Sequence, residues 1–153
     1  EAKLIRQWEK KYKVPIVTDP QMHVAGLRAM KIKKFIGASY SALQNQIVLK
    51  YMAEAELKCV SMEPIDVPFD RVAQISTETL YAHVKKLWRK HPGADGIYIQ
   101  GGGWQTARVV ALLENDLQVP VVHASICQAW QIHKHLMVRE TAPGYGRLLA
   151  ELP

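Results

Sequence analysis

Short apolar runs rich in β-branched residues alternate along this chain with longer stretches in which apolar residues recur at helical spacing. Residues 41–56 and 77–90 show that spacing most clearly, and Ser76 is suited to cap the second of these helices. Segments long enough for a helix separate successive short runs, as in β-α-β units. The pattern therefore predicts an α/β fold with a parallel sheet. The predicted strands are residues 14–18, 35–39, 59–62, 96–100 and 119–123.

A short motif occurs twice in this pattern. The segment Val14-Pro15-Ile16-Val17 and the segment Val119-Pro120-Val121-Val122 start 105 positions apart, and each lies between two helical stretches. In the first copy, Asp19 and Pro20 predict a helix whose N-cap is Asp19. Two interpretations stay open: two similar lobes, the first largely outside this chain, or two ordinary loops that are alike by chance.

Composition narrows the class of protein further. The chain has 153 residues, of which 48% are apolar and 22% are charged, which fits a globular domain and argues against a disordered or collagen-like chain. Cys59 and Cys127 are too far apart for a disulfide scaffold or a zinc knuckle, which favours a reduced compartment. No pair of histidines has metal-ligand spacing with a supporting acid, so we expect no metal. No apolar run is long enough for a membrane helix, and we expect a cytoplasmic protein.

The charge balance does not identify a partner by itself. The formal net charge is +6, from 20 Lys and Arg against 14 Asp and Glu, and the basic residues are spread along the chain. A spread of this kind favours a solvated surface over a nucleic-acid site. We therefore expect neither nucleic acid nor membrane as a partner, and the sequence leaves homo-oligomer formation open.

Candidate functional residues follow from the position of ligands in parallel sheets, beyond the carboxyl ends of the strands. Tyr40 follows the second predicted strand, Asn45 comes one helical turn later, and His123 ends the last strand. Trp104 and Thr106 lie a little beyond the fourth strand. Three glycines follow that strand directly: Gly101, Gly102 and Gly103.

The glycine loop resembles neither a Walker loop nor a dinucleotide fingerprint, because the residues after it do not fit either motif. Glycines between a strand and a helix allow positive φ and let the backbone approach a ligand closely. The N-terminus of a following helix would then favour a carboxylate or a phosphate. The alternative is a loop selected only for tight packing.

Several segments together resemble the maleate cis-trans isomerase and arylmalonate decarboxylase group of the aspartate/glutamate racemase superfamily. The resemblance runs in order over nearly the whole chain, and the terminal segment is its most specific part. The segments are Gly37-Ala38-Ser39-Tyr40 with Asn45, the stretch from Gly93 to Gly103, Val119-Pro120-Val121-Val122, and Pro143-Gly144-Tyr145-Gly146-Arg147-Leu148-Leu149.

The resemblance implies two Rossmann-like α/β lobes related by a pseudo-twofold axis, with an active site between them. In this chain, residues 1–30 would end the first lobe, residues 31–123 would form the second, and residues 124–153 would close across both. Such enzymes use no metal or organic cofactor, and they act through cysteines that face each other across the cleft. The implied ligand is a small carboxylate or dicarboxylate.

By the same resemblance, Tyr40 is a catalytic residue that contacts the substrate carboxylate, and Asn45, Gly101, Gly102 and Gly103 contribute to substrate binding. Gly101 stands where the cysteine of the second lobe is expected, so no thiol can act from that position. We therefore expect an isomerase of the maleate type, whose nucleophilic cysteine lies in the first lobe, upstream of Glu1. The alternatives are an arylmalonate decarboxylase-like lyase, a racemase-type enzyme, and a non-catalytic protein that retains the carboxylate pocket.

Overall fold

Four parallel strands form one sheet in the computed structural model, which describes residues 2–65, 67–105 and 107–151. The strands are β1 (Lys34–Ser39), β2 (Lys58–Pro64), β3 (Gly96–Ile99) and β4 (Val121–His123), and their order in the sheet is β2-β1-β3-β4. The helices are α1 (Ala2–Tyr12), α2 (Asp19–Ala29), α3 (Ala42–Glu54), α4 (Thr77–Lys90), α5 (Val109–Leu117), α6 (Ala124–His135) and α7 (Arg147–Ala150), and Phe69–Gln74 form a 3-10 helix.

The two central strands are apolar because both of their faces are covered. All four residues of β3 are buried, as are five of the six residues of β1. The Tyr98 ring packs edge-on against Phe35, and its hydroxyl lies 2.8 Å from Nδ1 of His23 on α2. Helix α2 also packs against α6. The predicted α/β fold is confirmed.

Most of the predicted elements are present, with shifted ends. Ser76 caps α4 as predicted, since its Oγ accepts a hydrogen bond from the Thr79 N–H at 3.1 Å. The N-cap of α2 is Thr18, because Asp19 is already helical. The Thr18 N–H donates to Oε1 of Gln21 at 2.9 Å. The strand predicted at residues 14–18 is wrong: among the described residues this segment pairs with no strand.

The two copies of the Val-Pro motif nevertheless share their hydrogen bonds. The Ile16 N–H donates to Oε1 of Glu9 at 3.1 Å, and the Val121 N–H donates to Oε1 of Glu114 at the same distance. In each copy the helix before the motif ends at a residue with positive φ, Lys13 at 58° and Gln118 at 55°. The helices after the motif, α2 and α6, also begin 105 positions apart. The repeat is therefore structural as well as sequential.

The strand order places a crevice between β1 and β3. From β1 the chain moves outward to β2, then crosses back over β1 to form β3 on its other side. Connections that leave two adjacent strands in opposite directions open a crevice at their carboxyl ends, where ligands bind in sheets of this kind. Tyr40 follows β1 and Gly101 follows β3 shortly after its last residue, so both flank this crevice.

Candidate active site

The Tyr40 ring lies directly against the glycine loop. Gly101 has φ of +107°, and a Cβ atom built on it would overlap Cε1 of Tyr40 and lie 2.8 Å from Cζ. A Cβ atom on Gly103 would lie 3.8 Å from the Tyr40 hydroxyl. The ring therefore occupies the space that a side chain at position 101 would need. The structure brings Tyr40, Gly101 and Gly103 together at one strand end.

Aromatic and apolar side chains surround the Tyr40 ring. Trp104 packs edge-on against it at 5.2 Å between centroids, and Phe69 does so at 6.0 Å. The Trp104 indole N–H donates to the Gln100 carbonyl oxygen at 2.8 Å, which closes the loop on itself. The Phe69 side chain is 76% exposed although it is a phenyl group. Together these rings form an apolar wall beside the loop.

The main-chain N–H groups of Gly101, Gly102 and Gly103 donate to no described residue. Free N–H groups on a glycine loop are donors for a carboxylate. The prediction that a helix follows the loop at once is wrong, since α5 begins only at Val109. Thr106, in the intervening segment, lies outside the described residues. The loop's donors, not the end of α5, are therefore what this edge offers to an anion.

Three strands or strand extensions end in buried polar side chains. Ser39 is the last residue of β1, Gln100 follows β3, and His123 is the last residue of β4. Each is more than nine-tenths buried, and Ser39 Oγ, Gln100 Oε1 and His123 Nε2 have no hydrogen-bond partner among the described residues. Buried polar atoms without a partner are rare and costly, so their concentration at one sheet edge marks it as a place for a polar ligand.

The remaining predicted residues occupy different surroundings. Asn45 lies in the first turns of α3, and its buried Oδ1 has no hydrogen-bond partner within residues 2–65, 67–105 and 107–151. Gly102 faces α6, since a Cβ atom on it would lie 3.8 Å from Ser125 Oγ. Cys127 is fully buried, and burial raises the pKa of its thiol. Burial also raises the pKa of Cys59 on β2 to about 11, so neither thiol is activated.

Other features of the described residues indicate a ligand site less strongly than the carboxyl edge of the sheet does. A groove of about 510 Å³ lies between α2 and α3, beside Val24, Arg28 and Tyr51, and no buried polar atom without a partner lines it. No group of three or more metal-ligating side chains occurs among the described residues. None of the helices in that part of the chain is both long enough and apolar enough to cross a membrane.

Strand-end reasoning from the sequence found Tyr40 and the glycine loop, but it gave no role to Ser39 or Gln100. Both are the last polar residues after a buried apolar run, and that is the only signal the sequence holds for them. Phe69 was also missed as a part of the site, and Trp104 was singled out only as a residue that follows the fourth strand. Their approach to Tyr40 depends on how the 3-10 helix and the loop fold over the sheet.

Comparison with known proteins agrees on one family. The family model described as arylmalonate decarboxylase matches residues 1–149. Arylmalonate decarboxylase of Bordetella bronchiseptica is 27% identical over 141 residues, which cover 90% of this chain and 59% of that protein. A crystal structure of arylmalonate decarboxylase superposes with a TM-score of 0.88 at 25% identity and covers 97% of this chain and 66% of that one.

Maleate isomerases share the fold at lower identity. The maleate isomerase Iso from Pseudomonas putida S16 superposes with a TM-score of 0.81 at 18% identity, over 90% of this chain and 56% of that one. Maleate cis-trans isomerase of Nocardia farcinica superposes with a TM-score of 0.79 at 21% identity, over 87% of this chain and 55% of that one. The chain thus spans less than two thirds of the length of each of these relatives.

Proposed function

Because the chain belongs to the arylmalonate decarboxylase family, we propose that the crevice between β1 and β3 binds an aryl-substituted malonate and that the whole protein decarboxylates it without a cofactor. Membership of this family confirms the resemblance drawn from the sequence motifs. The observation that carries the proposal is the contact between the Tyr40 ring and the glycine loop at the point where the strand order reverses.

The arrangement suits the two halves of such a substrate. A carboxylate over the loop would accept from the N–H groups of Gly102 and Gly103 and from the Tyr40 hydroxyl. An aryl group would lie against the exposed Phe69 ring and Trp104, which excludes water from that side. Maleate has no apolar group that would use this wall. The aromatic residues therefore favour the decarboxylase over the isomerase that the sequence put first.

Decarboxylation requires charge stabilisation more than it requires a nucleophile. The bond between the α-carbon and one carboxylate breaks, carbon dioxide leaves, and the electron pair delocalises into the remaining carboxylate as an enediolate. Donors fixed before the charge develops lower this barrier. The α-carbon then takes a proton. Gly101 has no side chain to supply it, so we assign this step to the phenol of Tyr40, which touches the loop. The phenolate that this transfer leaves takes a proton from water before the next turnover.

The test is to incubate the protein with phenylmalonate and to follow phenylacetate formation by NMR. We expect Tyr40→Phe to weaken phenylmalonate binding by about 1.5–3 kcal/mol, the value of a hydrogen bond to a charged group, and to abolish turnover. The control is Tyr81→Phe, since Tyr81 hydrogen-bonds to Asp116 on the surface between α4 and α5. Unchanged binding and turnover in Tyr40→Phe would show that the assignment of Tyr40 is wrong.

A second candidate is a protein that binds carboxylates without catalysis. The observation that favours it is Gly101, because the Tyr40 ring fills the space of the thiol expected there. Binding of phenylmalonate without phenylacetate formation would support this candidate. Absence of binding would exclude both. The division into the end of a first lobe (1–30), a second lobe (31–123) and a closing segment also stays a proposal, supported by the repeated hydrogen bonds of Glu9 and Glu114.

A further inference from the structure

The His123 imidazole both ends β4 and caps α6. The Ser125 N–H donates to Nδ1 of His123 at 3.1 Å, so the ring proton of the neutral side chain resides on Nε2. Nε2 is buried and has no hydrogen-bond partner in the part of the chain that the structure describes. Burial, assisted by the nearby His23, lowers the pKa of His123 to about 4, so the ring is neutral at pH 7. His123 therefore holds a buried N–H donor for which the described residues provide no acceptor.

The strand that ends in His123 is the neighbour of the strand that leads into the glycine loop. In the sheet, His123 pairs with Ile99, and Gly101 follows Ile99 after one intervening residue. On the α6 side, the Ser125 hydroxyl lies 3.8 Å from the position that a Cβ atom of Gly102 would take. His123, Ser125 and the loop thus occupy the adjoining ends of β3 and β4.

We propose that His123 donates a hydrogen bond through Nε2 to an anionic oxygen of the ligand held over the glycine loop. The inference rests on the carboxylate binding of the proposed function and adds to it a donor from β4. A neutral imidazole whose Nδ1 accepts from a helix N-terminus is a good donor to a developing oxyanion, because it polarises the oxygen without carrying a charge that must be desolvated. The ligand would supply the acceptor that Nε2 lacks.

The competing explanation is structural: His123 would serve only to cap α6. Two amide substitutions separate the roles, because each retains one nitrogen's function. His123→Asn places an acceptor near Nδ1, which preserves the cap, but it has no group at the Nε2 position. His123→Gln reaches the Nε2 position with an amide N–H, but it gives up the acceptor near the Ser125 N–H.

The experiment measures the Kd of phenylmalonate and of sulfate for the wild type and both variants, together with melting temperatures. We expect His123→Asn to melt like the wild type and to bind both anions about ten- to a hundredfold more weakly, as loss of a hydrogen bond to a charged acceptor requires. We expect His123→Gln to melt lower and to lose no more than about threefold in affinity, because its amide replaces the Nε2 donor.

NMR of the histidine rings in ¹⁵N-labelled protein supplies an independent readout. We expect His123 to be in the Nε2–H tautomer and its Nε2–H signal to move on addition of either anion. Unchanged affinity in His123→Asn, a signal that neither anion moves, or equal losses of affinity and melting temperature in both variants would overturn the proposal. A response to sulfate without binding of phenylmalonate would support His123 as a donor and contradict the proposed function alone.

Discussion

Replacing Gly101 by alanine tests the central contact of the site, because the new methyl group would overlap the Tyr40 ring. Two costs add at this position. The backbone φ of +107° is one that residues with a side chain rarely adopt, and such strain costs about 1–3 kcal/mol. Forcing a methyl group into occupied space costs about 1–3 kcal/mol more. We therefore expect Gly101→Ala to lower the free energy of unfolding by about 2–6 kcal/mol, toward the lower figure if the half-buried Tyr40 ring moves aside.

Two other glycines provide matched controls. Gly144 has φ of +90°, and a Cβ atom on it would meet nothing within 4 Å, so Gly144→Ala measures backbone strain alone. Gly93 has neither a positive φ nor a neighbour within that distance, and we expect Gly93→Ala to change stability by no more than about 0.5 kcal/mol. The assay is urea unfolding followed by circular dichroism, with equal slopes required for the comparison.

The ring contact itself is isolated by a double-mutant cycle with Tyr40→Ala. If the methyl group collides with the ring, Gly101→Ala costs less in the Tyr40→Ala background than in the wild type, by about the overpacking contribution of 1–3 kcal/mol. A cost for Gly101→Ala no larger than that of Gly144→Ala, with no coupling in the cycle, would refute the argument that the Tyr40 ring fills the space at position 101.

Three further predictions concern the scaffold. Glu114→Gln should lower the free energy of unfolding by about 1–3 kcal/mol, because this buried carboxylate accepts from two main-chain N–H groups. Glu9→Gln, at the equivalent and less buried position, should lower it by less. Equal urea midpoints for the two variants would contradict this prediction. Burial lowers the pKa of His123 to about 4. The free energy of unfolding is therefore unaffected by titration of this group above its ordinary pKa of about 6.5, and it falls by roughly 3 kcal/mol as the pH drops from 6.5 to 4. A stability profile against pH that is no steeper than that of His123→Gln would contradict this prediction. Lys85 holds the pKa of the exposed Asp116 below its usual value, so a small stabilisation should be lost as the pH falls through that lowered value, and Asp116→Asn should flatten the acid limb of the melting profile.

Buried parallel strands were predictable because they are short apolar runs with little polar interruption. The position of Tyr40 and Gly101 at strand ends followed from the same pattern. Their contact did not, because it depends on β1 and β3 being neighbours, and nothing local in the sequence states the order of strands. The start of α5 was also misplaced: the chain needs several residues after the glycine loop, including Trp104 and its bond to Gln100, before the helix begins.

The role of His123 shows a different limit. Its place at a strand end was visible in the sequence, but the tautomer depends on the Ser125 N–H and the lowered pKa depends on burial. Both arise only when α6 starts directly from β4. A histidine at the same position in an exposed strand would be charged at mildly acidic pH, so it would not act there as a neutral hydrogen-bond donor.

The first Val-Pro motif explains why one predicted strand is absent. The main-chain N–H groups of Ile16 and Val121 each donate to a glutamate seven residues earlier. Each motif follows a helix that ends at a residue with positive φ. Local sequence therefore specifies the same backbone in both copies. Only Val121 has a neighbouring strand, because β3 pairs with it, whereas no described segment pairs with Ile16. A strand forms only where a neighbouring strand accepts and donates its main-chain hydrogen bonds. The sequence pattern therefore predicts which segment can form a strand, and the tertiary fold determines whether a neighbouring strand is present.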